Sequence, residues 1–147
     1  MLGALSLLLT TSNGLPRPGL DAFRPYVGHC WAAALGTNVV DRHCFSLVYG
    51  GQHVRDEHVV TKNRAPVYSG ETLYSVVAGK IVFTYWNSLG GVGHGTARAN
   101  GNDLRFSLNM RASPGAAVSA STVSWRKTKT GYDVLSNGNT RHFKIDD

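Results

Sequence analysis

Apolar side chains in this sequence recur at every second position. Leu104, Phe106, Leu108 and Met110 alternate with Arg105, Ser107 and Asn109. Tyr74 and Val76 lead across Ala78-Gly79 into Ile81, Phe83 and Tyr85 in the same rhythm, with Thr72 and Asn87 on that face. A two-residue period belongs to strands with one buried face. Only Leu20 to Tyr26 suits a short helical turn, with Asp21 near its start and Pro25 limiting it. Turn signals punctuate the rest, among them Gly36-Thr37-Asn38, Gly50-Gly51, Lys62-Asn63, Ala78-Gly79, Asn100-Gly101 and Asn137-Gly138. Strands joined by such turns pair with their neighbours in sequence. A long meander leaves two edges unpaired, and closure removes them. The pattern predicts an all-β fold: a single antiparallel up-and-down β-barrel of about eight to ten strands with a short N-terminal helical turn.

Each turn sets a register. Centring a hairpin on Thr37 places Cys30 opposite Cys44, Trp31 opposite His43, His29 opposite Phe45 and Ala33 opposite Asp41. Opposed Cβ atoms stand ~4.5–5.5 Å apart, so the cysteines are expected to form a cross-strand disulfide. A hairpin at Gly50-Gly51 sets His43 against His58, Phe45 against Asp56 and Leu47 against Val54. The inward face then carries Trp31, Ala33, Leu35, Phe45, Leu47, Val54 and Val60. It also carries His29, Asp41, His43, Asp56 and His58. A turn at Asn100-Gly101 sets Ala97, Gly95 and Gly93 opposite Leu104, Phe106 and Leu108. Across Asn137-Gly138, Asp133 faces His142 as a surface pair. No register brings Glu57 and Glu71 together, and His94 and Trp86 face outward.

Buried carboxylates and imidazoles need partners, and four readings of the inward polar set stand open. It is a structural network closing one end of the barrel. It orients a ligand in a pocket walled by Trp31, Phe45, Tyr74, Phe83, Tyr85 and Phe106, with Asp41, His43, Asp56 and His58 meeting a polar head group. It is a metal site, His43 and His58 with Asp41 or Asp56, residue types that suit zinc or iron. It is an acid–base pair of an enzyme. No HExxH-type spacing supports a metal, and no nucleophile or oxyanion hole is evident. The sequence therefore assigns no metal ligand, no catalytic residue and no cofactor. Gly91-Val92-Gly93-His94-Gly95 lacks the Lys-Ser/Thr ending of a phosphate loop and reads as a bent strand.

Composition narrows the classes. The chain has 147 residues, 42% hydrophobic and 16% charged, enough apolar side chain for one domain with a sizeable core. The net charge of +6 is scattered, apart from Arg126-Lys127-Thr128-Lys129, read as a turn. Nucleic-acid binders cluster such residues, so no nucleic-acid partner is expected. No apolar run approaches the ~20 residues of a membrane-spanning helix. Leu2 to Leu9 is a short apolar run before Thr10 to Gly14. Residues 1–19 thus read as a signal-like or disordered tail, and 20–147 as the barrel domain. With a cysteine pair, the expected compartment is periplasmic or secreted, or cytoplasmic if the first run is not a signal.

Leu20 to Tyr26 followed by Gly28-His29-Cys30-Trp31, and then a hairpin meander, resembles the lipocalin-like or calycin barrels. Tyr68 to Tyr74 followed by Phe83 to Gly91 looks like a group of small uncharacterised exported bacterial proteins. The resemblance implies a barrel with a tryptophan, Trp31, at its closed end and a small hydrophobic or amphipathic ligand at the other. The alternative is a ligand-free structural or interaction barrel of the cell envelope, with a partner surface near Trp86 or residues 126–129; a metal-dependent or acid–base enzyme is a third. Oligomeric state is left open.

Overall fold

Period-two runs joined by tight turns close on themselves. The computed structural model describes residues 14–147; the run Leu2 to Leu9 lies outside them. Ten strands follow one 3-10 turn, Asp21–Phe23: β1 (Cys30–Gly36), β2 (Val39–Val48), β3 (His53–Lys62), β4 (Ala65–Val77), β5 (Lys80–Asn87), β6 (Val92–Asn100), β7 (Asp103–Arg111), β8 (Val118–Lys127), β9 (Gly131–Ser136) and β10 (Asn139–Ile145). Each pairs antiparallel with the next, and β10 returns to β1 through Ile145 opposite Trp31. The result is a closed up-and-down barrel. No helix among the described residues is long and apolar enough to cross a membrane.

Most registers follow from the turns. Cys30 lies opposite Cys44 and is bonded to it; a bulge between Ala34 and Gly36 interrupts that ladder only near the turn. The β2–β3 ladder holds from end to end, with His43 against His58 and Phe45 against Asp56. Ala78 and Gly79 both take positive φ, 49° and 74°, as do Asn137 and Gly138. Two such residues match a hairpin turn to the strand twist. Asp133 meets His142 across the second of these turns, Oδ1 accepting from Nδ1 at 2.6 Å.

Four expectations need correction. The β6–β7 register is displaced by two residues: Ala97 faces Phe106, Gly95 faces Leu108 and Gly93 faces Met110. Here Gly101 takes positive φ and Asn102 does not, so the loop is Gly101-Asn102, with glycine first. A slip of two preserves which side chains point inward. Glu57 and Glu71 do stand opposite each other, because a bulge between Val60 and Thr61 shifts the β3–β4 ladder; Arg55 pairs with Glu57 at 3.0 Å. His29 does not face inward. Gly28, at φ 84°, turns the chain before β1, and the His29 ring bonds Asp147 at 2.7 Å on the surface. Arg126 and Lys127 belong to β8, and the turn begins at Thr128.

The two ends of the barrel differ. At the end bearing the β2–β3 and β4–β5 turns, Leu20, Phe23 and Tyr26 enter as a plug and are fully buried. Pro16 is buried beside them, and the Arg17 N–H donates to the Gly51 carbonyl at 2.9 Å. The Tyr26 ring packs on Trp31, Phe45, Trp125 and Tyr132, and Trp31 Nε1 donates to the Tyr26 carbonyl at 3.3 Å. Each large plug side chain contributes about 1.5–3 kcal/mol of burial. Trp125, 7% exposed, spans the middle between Phe23, Tyr74 and Phe106. Beyond that layer the interior is not filled.

Candidate functional site

The unfilled half is a cavity of about 280 Å³. Tyr74, Phe106, Trp125 and Tyr132 lie on its plugged side, and Phe83, Leu108, Val123, Val134 and Phe143 supply further apolar wall. Asp41, His43, His58 and Tyr85 form a polar wall, and exposed Arg141 adds a guanidinium.

Strand alternation places that polar wall. Asp41 and His43 are two residues apart on β2, and Asp56 and His58 two apart on β3, so all four point inward. His43 lies directly opposite His58, and their rings stack with centroids 4.7 Å apart. His43 Nδ1 donates to both carboxylate oxygens of Asp56, each at 2.9 Å. Its Nε2 donates to Asp41 Oδ2 at 3.3 Å. The other Asp41 oxygen accepts from His58 Nδ1 at 3.0 Å. His58 Nε2 shares a hydrogen bond with the Tyr85 hydroxyl at 3.0 Å, and the Tyr68 and Tyr85 hydroxyls meet at 2.7 Å. A continuous chain therefore runs Asp56–His43–Asp41–His58–Tyr85–Tyr68.

The link between His58 and Tyr85 has a particular cause. These residues sit on β3 and β5, with β4 between them, and the intervening position on β4 is Gly70. A Cβ there would stand 2.5 Å from the Tyr85 hydroxyl and 2.6 Å from His58 Nε2. Only a residue without a side chain leaves room for the two to meet.

Electrostatics follow from the geometry. Burial alone would push the His43 pKa down. The Asp56 charge and the hydrogen bonds to Asp41 and Asp56 outweigh it and raise it to about 10, so His43 is a cation at neutral pH. Burial would raise the Asp41 carboxyl, but hydrogen bonds from His43 and His58 hold it well below the usual carboxylate range. The Tyr85 hydroxyl is pushed up, first by burial and then by Tyr68. Tyr74 and Tyr132 are raised mainly by burial. The wall thus combines an imidazolium, a second imidazole, a buried carboxylate and a neutral phenol, with the Asp56 carboxylate behind His43.

Of the residues singled out in the sequence, Asp41, His43, His58, Tyr74, Phe83, Tyr85 and Phe106 line the cavity. Asp56 lies against His43, 3% exposed. Trp31 and Phe45 pack against Tyr26 in the plug. Sequence reasoning missed Trp125, Tyr132, Val134, Arg141 and Phe143. The Asn137-Gly138 turn held the signal for four of them. The register that pairs Asp133 with His142 outside also pairs Tyr132 with Phe143 and Val134 with Arg141 on the other face. Tyr68, too, was not foreseen.

No family model and no curated protein matches this chain. The site's own chemistry therefore carries the functional reading.

Proposed function

We propose that this barrel binds a small amphipathic molecule in its open half. The ligand's apolar part lies against Phe83, Phe106, Trp125 and Phe143. Its polar group meets the Asp41, His58 and Tyr85 side, and Arg141 favours a ligand with an anionic or strongly polar end. The observation that carries this reading is the cavity of about 280 Å³ left beside a tightly packed plug. Ligand sites are concave, mostly apolar and furnished with a few convergent polar groups. A volume near the lower end of that class selects a compact molecule over a long chain. The Cys30–Cys44 bond supports an oxidising, extracytoplasmic setting, periplasmic or secreted, in keeping with a calycin-type carrier.

The test is a titration with the anionic, amphipathic dye 1-anilinonaphthalene-8-sulfonate, in chelator, on the folded protein. One dye should bind per chain, and Val123→Trp, which fills the cavity, should weaken binding at least tenfold. Absence of saturable binding, or equal affinity in the filled variant, would favour the ligand-free structural barrel instead.

A further inference from the structure

We infer that Asp41, His43 and His58 bind a divalent transition-metal ion, with open coordination positions facing the cavity. This inference does not rest on an organic ligand; it comes from the donor set and its supports.

One oxygen of Asp41, one nitrogen of His43 and one of His58 lie within 4.8 Å of one another. Donors held ~2.1 Å from one ion stand about 3.0–3.4 Å apart. The Asp41 carboxylate already spans the two rings, Oδ2 lying 3.3 Å from His43 Nε2 and Oδ1 3.0 Å from His58 Nδ1. The ion takes the place of the protons on those two contacts: both ligating nitrogens, His43 Nε2 and His58 Nδ1, lose their protons, and the one proton each ring keeps sits on the far nitrogen, donated by His43 Nδ1 to Asp56 and by His58 Nε2 to the Tyr85 hydroxyl.

The outer partners are of the kind metal-bound histidines have. A ligating imidazole commonly uses its second nitrogen to bond a carboxylate or other polar group, which fixes the ring. Asp56 does this for His43 through Nδ1 at 2.9 Å, and Tyr85 for His58 through Nε2 at 3.0 Å. His43 and His58 stand at directly opposed backbone positions on β2 and β3, and a modest turn of the stacked rings about χ2 brings both lone pairs to one ion. Two imidazoles and a carboxylate suit zinc, iron or cobalt over calcium or magnesium. Three protein ligands leave at least one position open, and all three residues line the cavity.

The experiment uses the untagged full chain, stripped with chelator and titrated with Co²⁺ and Zn²⁺. One ion per chain is expected, with a Co²⁺ absorption spectrum of mixed nitrogen and oxygen ligation. His43→Gln and His58→Gln should weaken Zn²⁺ about 100-fold or more, and Asp56→Asn about 10- to 100-fold. His53→Gln and His94→Gln, outside the site, should leave it unchanged. X-ray absorption on wild-type protein with one equivalent of Zn²⁺ should show two imidazoles, a readout that does not depend on any variant folding. Absence of saturable binding at millimolar Co²⁺, a shell without two imidazoles, or wild-type affinity in folded His43→Gln and His58→Gln would overturn the inference. Dye binding in chelator is a separate readout, so failure of the metal site and failure of the ligand reading are distinguishable.

Discussion

Asp56→Asn removes one charge from the buried chain and leaves its shape. Asp56 is 3% exposed and places both oxygens 2.9 Å from His43 Nδ1. Removing one partner of a buried ion pair costs about 3–5 kcal/mol, because the other charge is left behind. His43 keeps Asp41 at 3.3 Å, and asparagine retains one acceptor, which sets the expectation near ~3 kcal/mol. In a chain of this size that is roughly 6–12 °C in Tm. A pH signature accompanies it. The groups facing His43 are Asp41 from its own strand, Asp56 and His58 from β3, and the Phe143 ring from β10. Its pKa rises from 6.5 unfolded to about 10 folded. The folded state therefore holds a proton that the unfolded chain releases. Its contribution is complete below pH 6.5 and is lost as pH rises toward 10, at about 1.4 kcal/mol per pH unit. Urea melts of chelator-treated wild type and variant from pH 6 to 9.5 read both effects. A wild-type midpoint that does not move between pH 7 and 9.5, or a variant within 1 kcal/mol of wild type, would refute the ion-pair account.

Gly70→Ala should push Tyr85 away from His58, since the new Cβ would meet both at 2.5–2.6 Å; an NMR titration that leaves the His58 ring signals unmoved would contradict this. Trp125→Ala removes the side chain between plug and cavity and should cost about 3–5 kcal/mol in urea melts. Cys30→Ser/Cys44→Ser should lower stability by about 3 kcal/mol, the loop-closure value for so short a loop, with the barrel's circular dichroism retained. Tyr26, raised by burial to about 12, stays neutral in the fold while an unfolded tyrosine ionises near 10. Its contribution is present below pH 10 and is lost as pH rises toward 12; Tyr26→Phe should make the alkaline limb of the stability curve shallower, the other buried tyrosines keeping the rest.

The barrel was legible because its turns are explicit. Thr37 and Gly50-Gly51 each set a register, and those registers brought Cys30 to Cys44 and His43 to His58. The β6–β7 slip arose because Asn100-Gly101 and Gly101-Asn102 are both acceptable turn pairs, distinguished only by which residue takes positive φ. The far wall was harder to read. Ser119 to Thr122 are small, and only Ala120 among them is apolar, so the alternation leading to Val123 and Trp125 is muted. The adjoining Arg126-Lys127 then resembles a turn. The plug was legible as a helical turn but not as barrel filling, because nothing in Leu20 to Tyr26 states which cavity it enters. The His58–Tyr85 bond crosses an intervening strand, and a reading that pairs neighbouring strands does not reach it.

The central claim is that the open half of the barrel, and neither its plug nor its outer surface, receives a small amphipathic molecule. The chain's three tryptophans sample those places: Trp31 in the plug, Trp86 outside at 43% exposure, and Trp125 on the cavity wall. Two-dimensional NMR of their indole N–H signals during a titration with 1-anilinonaphthalene-8-sulfonate tests it most directly. The account predicts a saturable shift of the Trp125 signal while those of Trp31 and Trp86 hold still. A spectrum in which no indole moves, or in which Trp86 alone moves, would contradict it.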